Sequence, residues 1–216
     1  MSDSAVREAI EAKLGEGFER SPERVRALDV LTVNHARGLD GLAACENLAI
    51  LVLAGCEPAN LHELSRLASL GLVSFADSAV GSIGALSGLA LHTVHIERSE
   101  ALDITPLLDC SGLVEVHLKG SALADHAYDT VIPQLRERGI DVVCPDATER
   151  ELTALLRDKG LRMNYYRRGQ EYRLCRPGLS LTERPEVNHP PIAPDDLRAM
   201  VASDPAGVAA LFDRTL

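Results

Sequence analysis

Along the first two-thirds of the chain, apolar residues fall into a three-point pattern: Leu28-Leu31-Val33, Leu48-Leu51-Leu53, Leu70-Val73-Phe75, Leu91-Val94-Ile96 and Leu113-Val116-Leu118. The spacing within each triplet is L-x-x-L-x-L, and successive triplets start 20 to 22 residues apart. Alternation at the second and third points predicts a short strand. The fixed period predicts a solenoid, because a turn this short buries its apolar edge only against the turns beside it. About ten residues after each strand a second pattern appears: Leu39-Leu42-Cys45, Leu61-Leu64-Leu67, Ile83-Leu86-Leu89 and Ile104-Leu107-Cys110. An apolar residue at every third position predicts a short helical or 3₁₀ turn on the convex side, one stripe facing inward. Cys45 and Cys110 stand where Leu67 and Leu89 stand in sister units, so they read as small buried hydrophobes.

The flanks do not repeat. Residues 4–20 read as an amphipathic helix with Val6, Ile10, Leu14 and Phe18 on one face, ended by Ser21-Pro22. Such a helix would cap the bare apolar end of the first turn. The fifth unit is longer: residues 125–139 predict a helix that Pro133 should kink or divide, and residues 140–144 a sixth strand. Residues 148–159 predict a helix with Leu152, Leu155 and Leu156 inward, Gly160 after it, and a capping box from Thr148 and Glu151. Residues 161–176 predict a hairpin turning at Arg168-Gly169, with Met163 opposite Leu174 and Tyr165 opposite Tyr172. A Pro-rich connector (185–194) and two short helical stretches (194–202, 205–212) follow. The expected organisation is an N-terminal helical cap (1–24), a solenoid (25–146), a capping helix and β-hairpin (147–178), and a connector with short helices (179–216).

The triplets, their period and the convex pattern together resemble the leucine-rich repeat family, in its short-repeat bacterial form, over residues 25–146. The resemblance implies an α/β solenoid with a curved parallel sheet on the concave side, short helices or turns on the convex side, and a surface that holds a protein or peptide. In that family the ninth position favours Asn or Cys, whose side chain bonds the backbone as the chain leaves the strand. Here it holds Ala36, Cys56, Ser78, Ser99 and Ser121, so the role passes to small polar residues and the Asn ladder is absent.

Composition narrows the function classes. Apolar residues make up 46% of the 216, yet aromatics only 3% and Trp is absent, which suits an interior tiled with Leu, Val, Ile and Ala. A net charge of −10 argues against nucleic acid as a whole-surface partner. Residues 1–17 hold no apolar stretch of signal-peptide length, and no later run approaches the roughly 18 to 20 apolar residues of a membrane span; a cytoplasmic protein without membrane contact is expected. Five cysteines without C-x-x-C spacing suggest neither a disulfide framework nor a zinc knuckle. No G-x-S-x-G, H-E-x-x-H or phosphate-binding glycine loop occurs, so no enzyme activity, cofactor or metal is assigned.

In an L-x-x-L-x-L strand the third, fifth and seventh residues project to the concave side, and stacked turns set them about 4.8 Å apart. The third column is Val30, Ile50, Leu72, Thr93, Glu115 and Val142; the fifth Thr32, Val52, Ser74, His95, His117 and Cys144; the seventh Asn34, Ala54, Ala76, Glu97, Lys119 and Asp146. The face is thus apolar in its first half and chargeable in its second. A greasy strip beside a polar one predicts a contact surface for a protein or peptide partner. The competing reading is that the C-terminal appendage folds back over the strip. An alternative function places a metal or a thiol nucleophile at His95, His117 and Cys144, with Glu97 or Asp146 nearby. A third lies in the hairpin, where Arg162, Arg167, Arg168, Arg173 and Arg176 accompany Tyr165, Tyr166 and Tyr172. Five arginines against the single Glu171 give that segment +4 and leave −14 elsewhere. Arginines among tyrosines suit RNA or another polyanion; the same composition suits docking onto the chain's own acidic body.

Overall fold

The computed structural model describes residues 5–180, 182 and 185–214. Ser4, the first residue of the predicted N-terminal helix, and the last two residues of the C-terminal segment lie outside them. Six strands pair parallel in chain order: β1 (Val30–Asn34), β2 (Ile50–Ala54), β3 (Leu72–Ala76), β4 (Thr93–Glu97), β5 (Glu115–His117) and β6 (Asp141–Val143). Leu31, Leu51, Val73, Val94 and Val116 pair laterally, as do Val33, Leu53, Phe75 and Ile96, and all are fully buried. The convex pattern forms 3₁₀ turns at Leu42–Ala44, His62–Arg66, Gly84–Leu86 and Thr105–Asp109, with every third apolar residue inward. Cys45 and Cys110 lie in that stripe, and burial pushes both thiols up to about 11. They are packing residues.

Each turn leaves its strand in the same way. The eighth residues His35, Gly55, Asp77, Arg98 and Gly120 all adopt the left-handed conformation, with φ between 51° and 68°. The ninth residues then form a continuous ladder. Ser78 Oγ accepts from the Cys56 amide (3.0 Å), Ser99 Oγ from the Ser78 amide (3.0 Å) and Ser121 Oγ from the Ser99 amide (3.2 Å). Cys56 Sγ takes the same part for the Ala36 amide at 3.3 Å. Each serine hydroxyl also donates to a carbonyl of the turn before, Ser78 to Leu53 and Ser99 to Phe75. The bonds offset the roughly 1–2 kcal/mol that a left-handed non-glycine residue costs.

The N-terminal helix is shorter than its pattern. Helix α1 (Ala5–Leu14) stops where Gly15 and Gly17 turn left-handed, and Phe18 is buried from a separate 3₁₀ turn. Pro22 opens a second helix, α2 (Pro22–Arg26), rather than merely breaking the first, since its missing N–H is harmless at a first turn. Val6, Ile10, Phe18 and Val25 join the solenoid core and close its first end. In the fifth unit Pro133 does not divide the helix: the turn before it widens to a π-helix over Ala127–Val131, and α3 (Ile132–Glu137) continues.

The appendage has a core of its own, built on Leu152, Leu156, Met163, Tyr165, Leu174, Leu197, Val201 and Val208. Helix α4 (Ala147–Asp158) carries the predicted stripe, but its capping box is Asp146 with Glu149, not Thr148 with Glu151. Asp146 therefore caps a helix and is not a concave-face residue. The hairpin β7 (Asn164–Arg168) and β8 (Glu171–Cys175) turns at Gly169-Gln170, one residue later than predicted. Tyr165 thus pairs with Leu174, and Arg167 with Tyr172. Moving the turn by one shifts the pairing by two, so every side chain keeps its face. Tyr165 and Tyr172 still meet, as a diagonal parallel stack at 5.1 Å. Helices α5 (Pro194–Ser203) and α6 (Pro205–Ala209) complete this core.

The appendage docks along the flank where the strands end. Asn164 Nδ2 donates to the Gly120 and Ser99 carbonyls (3.0 and 2.9 Å), Cys175 Sγ to Arg98, the Gly178 amide to Asp77 (3.0 Å) and the Ser180 amide to Gly55 (3.0 Å). Four consecutive left-handed residues thus offer their carbonyls to one strap, which climbs back from the fifth turn to the second.

Candidate functional site

The sheet register assembles the concave columns as the sequence places them through the fifth turn. Val30, Ile50, Leu72, Thr93 and Glu115 align, as do Thr32, Val52, Ser74, His95 and His117. Asn34, Ala54, Ala76 and Glu97 form the seventh column, with Lys119 next to it. Ile50, Val52 and Leu72 are half-buried on the concave side of the sheet. Among the described residues, Asn164, Cys175 and the Gly178 and Ser180 amides bond the solenoid at its strand ends.

The sixth strand departs from the expected register by one residue. Asp141 pairs with Glu115, Val142 with Val116 and Val143 with His117. Val142 is therefore an inward residue, buried to 6%, and the fifth column ends on half-open Val143 rather than on Cys144. Cys144 lies outside the column and accepts a hydrogen bond from Arg136 Nη2 at 3.4 Å. The constellation His95, His117 and Cys144 does not form, and with it goes the thiol nucleophile beside a histidine base.

A different cluster takes its place. The imidazoles of His95 and His117 stack across β4 and β5, centroids 4.6 Å apart and planes 16° from parallel. Glu115 Oε1 sits 2.8 Å from His117 Nε2, while Glu97 Oε1 stands 3.8 Å from His117 Nδ1. His95 Nε2 is out of contact with water and has no hydrogen-bond partner among the described residues. Glu97 is itself held by Arg98 Nη1 at 3.2 Å, which ties the cluster to the flank.

At the flank, Asp77 accepts from Arg98 Nε and Nη2 at 2.9 to 3.1 Å, and Arg98 lies over the Tyr166 ring at 5.7 Å. His189 completes the network, its Nδ1 3.0 Å from the Tyr166 hydroxyl and its Nε2 3.5 Å from Asp77. Part of the basic hairpin is taken up by the fold itself. Arg162 pairs with Glu100 at 3.0 Å, Arg173 with Glu171 and with the His189 carbonyl. Tyr165 and Tyr166 are buried, so their rings have no face for a base to stack on, while Tyr172 is half-buried with one face against Tyr165. Arg167 and Arg168 remain exposed and, with Lys119, line a recess of about 290 Å³ beside Glu97. That convergence of hairpin and concave face has no signature in either segment alone.

Burial, reinforced by the charges of Arg98, Arg173 and Arg168, holds His189 neutral by lowering its pKa to about 3. Unfolded histidine protonates near pH 6.5. Between those values the unfolded chain binds a proton that the fold refuses, so stability falls as pH drops from about 6.5 toward 3. Acidification from pH 7 to 4.5 is expected to cost about 1–3 kcal/mol through this residue. Urea midpoints against pH should show that slope in the wild type and a flatter one in His189→Gln; parallel curves would refute the assignment.

No family model matches the chain, and no curated protein matches it. Among solved structures it is similar to internalin C2 of Listeria monocytogenes, at 16% identity and a TM-score of 0.36, over 67% of this chain and 93% of that one. At that level the likeness adds nothing to what the chain's own turns define. Five L-x-x-L-x-L units on a six-stranded parallel sheet, with 3₁₀ turns behind, form an α/β solenoid, the architecture that the resemblance to leucine-rich repeats implies. No helix among the described residues is long and apolar enough to cross a membrane.

Proposed function

We propose that this protein is a non-catalytic recognition module that holds a protein or peptide partner on its concave sheet. The observation that carries the reading is the half-open strip of Ile50, Val52 and Leu72, which folding does not require on that side. Val30, Thr32, Ser74 and Thr93 extend it, and His95, Glu97, Glu115, His117 and Lys119 border it with groups that fix orientation. Adaptor and toxin-neutralising roles both fit such a surface. Desolvation of a small apolar centre inside a polar rim supplies affinity, and the rim supplies selectivity.

The test is capture from the native host's lysate with wild-type protein beside Ile50→Glu/His95→Glu, both checked for folding by circular dichroism. A partner held by the wild type should be lost by the double variant, with affinity falling at least tenfold when the pair is purified and titrated. Equal retention would move the site to the hairpin or the convex side.

A further inference from the structure

We propose that His95, Glu115 and His117 form a binding site for a zinc-class divalent cation on the concave face. One donor atom from each lies within 4.8 Å of the others, on adjacent strands whose register fixes their backbones. Two imidazole nitrogens and one carboxylate oxygen are a donor set that suits Zn²⁺ and its first-row neighbours; Mg²⁺ and Ca²⁺ prefer all-oxygen shells. Ligand atoms around tetrahedral zinc sit roughly 3.3 Å apart, as bond lengths of about 2.0–2.1 Å dictate. The set therefore closes by side-chain rotation alone, which these half-exposed residues can make without moving a strand.

Three features favour coordination over an ordinary surface cluster. His95 Nε2 is shielded from water yet unbonded, so this ring carries unused coordinating capacity. Glu115 already faces His117 Nε2 at 2.8 Å, the nitrogen a metal would take. On the opposite edge of that ring, Glu97 stands 3.8 Å from Nδ1, where a carboxylate receives the N–H of a metal-bound histidine and fixes its tautomer. Arg98 anchors Glu97 in turn, making Glu97 a positioning residue. Three protein ligands leave a fourth position open toward the concave side, free for water or another donor. The inference depends on β4 and β5 alone and stands whether or not a partner occupies the apolar strip.

The test uses the full chain at neutral pH, titrated with Zn²⁺ by calorimetry and with Co²⁺ by visible absorption. One equivalent of each should bind, and the cobalt spectrum should show the intense bands of a low-coordinate site. His95→Ala and His117→Ala should each weaken zinc binding at least about 100-fold. Glu97→Gln should weaken it about 10-fold, as loss of a ligand's outer partner does, while leaving the one-to-one stoichiometry. His62→Ala, on the convex side, should change nothing. The side chains concerned project from the sheet, so unchanged thermal melts establish that the variants fold. The absence of saturable zinc binding by the wild type would overturn the proposal. So would binding that survives both concave histidine substitutions, or binding displaced by a modest excess of Mg²⁺.

Discussion

Asp77→Ala is expected to destabilise the protein by about 3–5 kcal/mol, the range for removing one partner of a buried ion pair. Asp77 is only 2% exposed and receives two arms of the Arg98 guanidinium, with His189 Nε2 3.5 Å from its Oδ1. Without it, Arg98 keeps its charge in a site that burial makes hostile to charge, and the Tyr166–His189 contact loses its floor. The backbone adds to the loss, because Asp tolerates the left-handed conformation of this position better than Ala does. Urea denaturation of Asp77→Ala, Arg98→Leu and the double variant provides the check. The double variant should be markedly more stable than the sum of the singles implies, since no orphaned charge remains. Additive losses, or a single loss below about 1 kcal/mol, would show that the pair holds nothing together.

Gly120→Ala is expected to cost about 2–4 kcal/mol and to loosen the appendage from the solenoid. Two effects combine at this site. Gly120 has φ of +68°, so any side chain is strained there, by roughly 1–2 kcal/mol. A Cβ would also lie 2.6 Å from Tyr166 Cβ, an atom fixed to the hairpin backbone that no rotamer can withdraw. The hairpin must back away, stretching the bonds from Asn164 to Ser99 and Gly120. Gly41 provides the comparison: its φ is +91° but nothing lies within 4 Å of a Cβ. Gly41→Ala should therefore show the conformational cost alone, and the two midpoints should differ. Equal losses would mean that the close approach at Gly120 relaxes freely.

What the sequence made legible follows from how short-range each signal is. The L-x-x-L-x-L triplets encode strand, face and register together, because a misplaced Leu51 or Val94 would leave the interior; all five triplets fold as their spacing predicts. The sixth strand has no such anchor. Ile140 looks like the leading apolar residue of a unit, but the strand aligns on Val142, which is buried beside Val116, and this single step removes Cys144 from the histidine column. The hairpin turn slipped for a related reason: Arg168-Gly169 and Gly169-Gln170 keep the same faces, and only the left-handed Gly169 at the first turn position decides between them. The pairing of Asp77, Arg98, Tyr166 and His189 was not readable at all. Those four residues come from two turns, a strand and a connector, and only the strap's path unites them.

That path has a mechanical meaning. A stack of turns held by neighbour contacts alone can peel from either end, one coil at a time. Here residues 164–180 are stitched to the second, third, fourth and fifth turns like lacing down one side of a spring. No laced coil separates from its neighbour without breaking a seam shared with the others. The lacing therefore makes the loss of one laced coil the loss of all four.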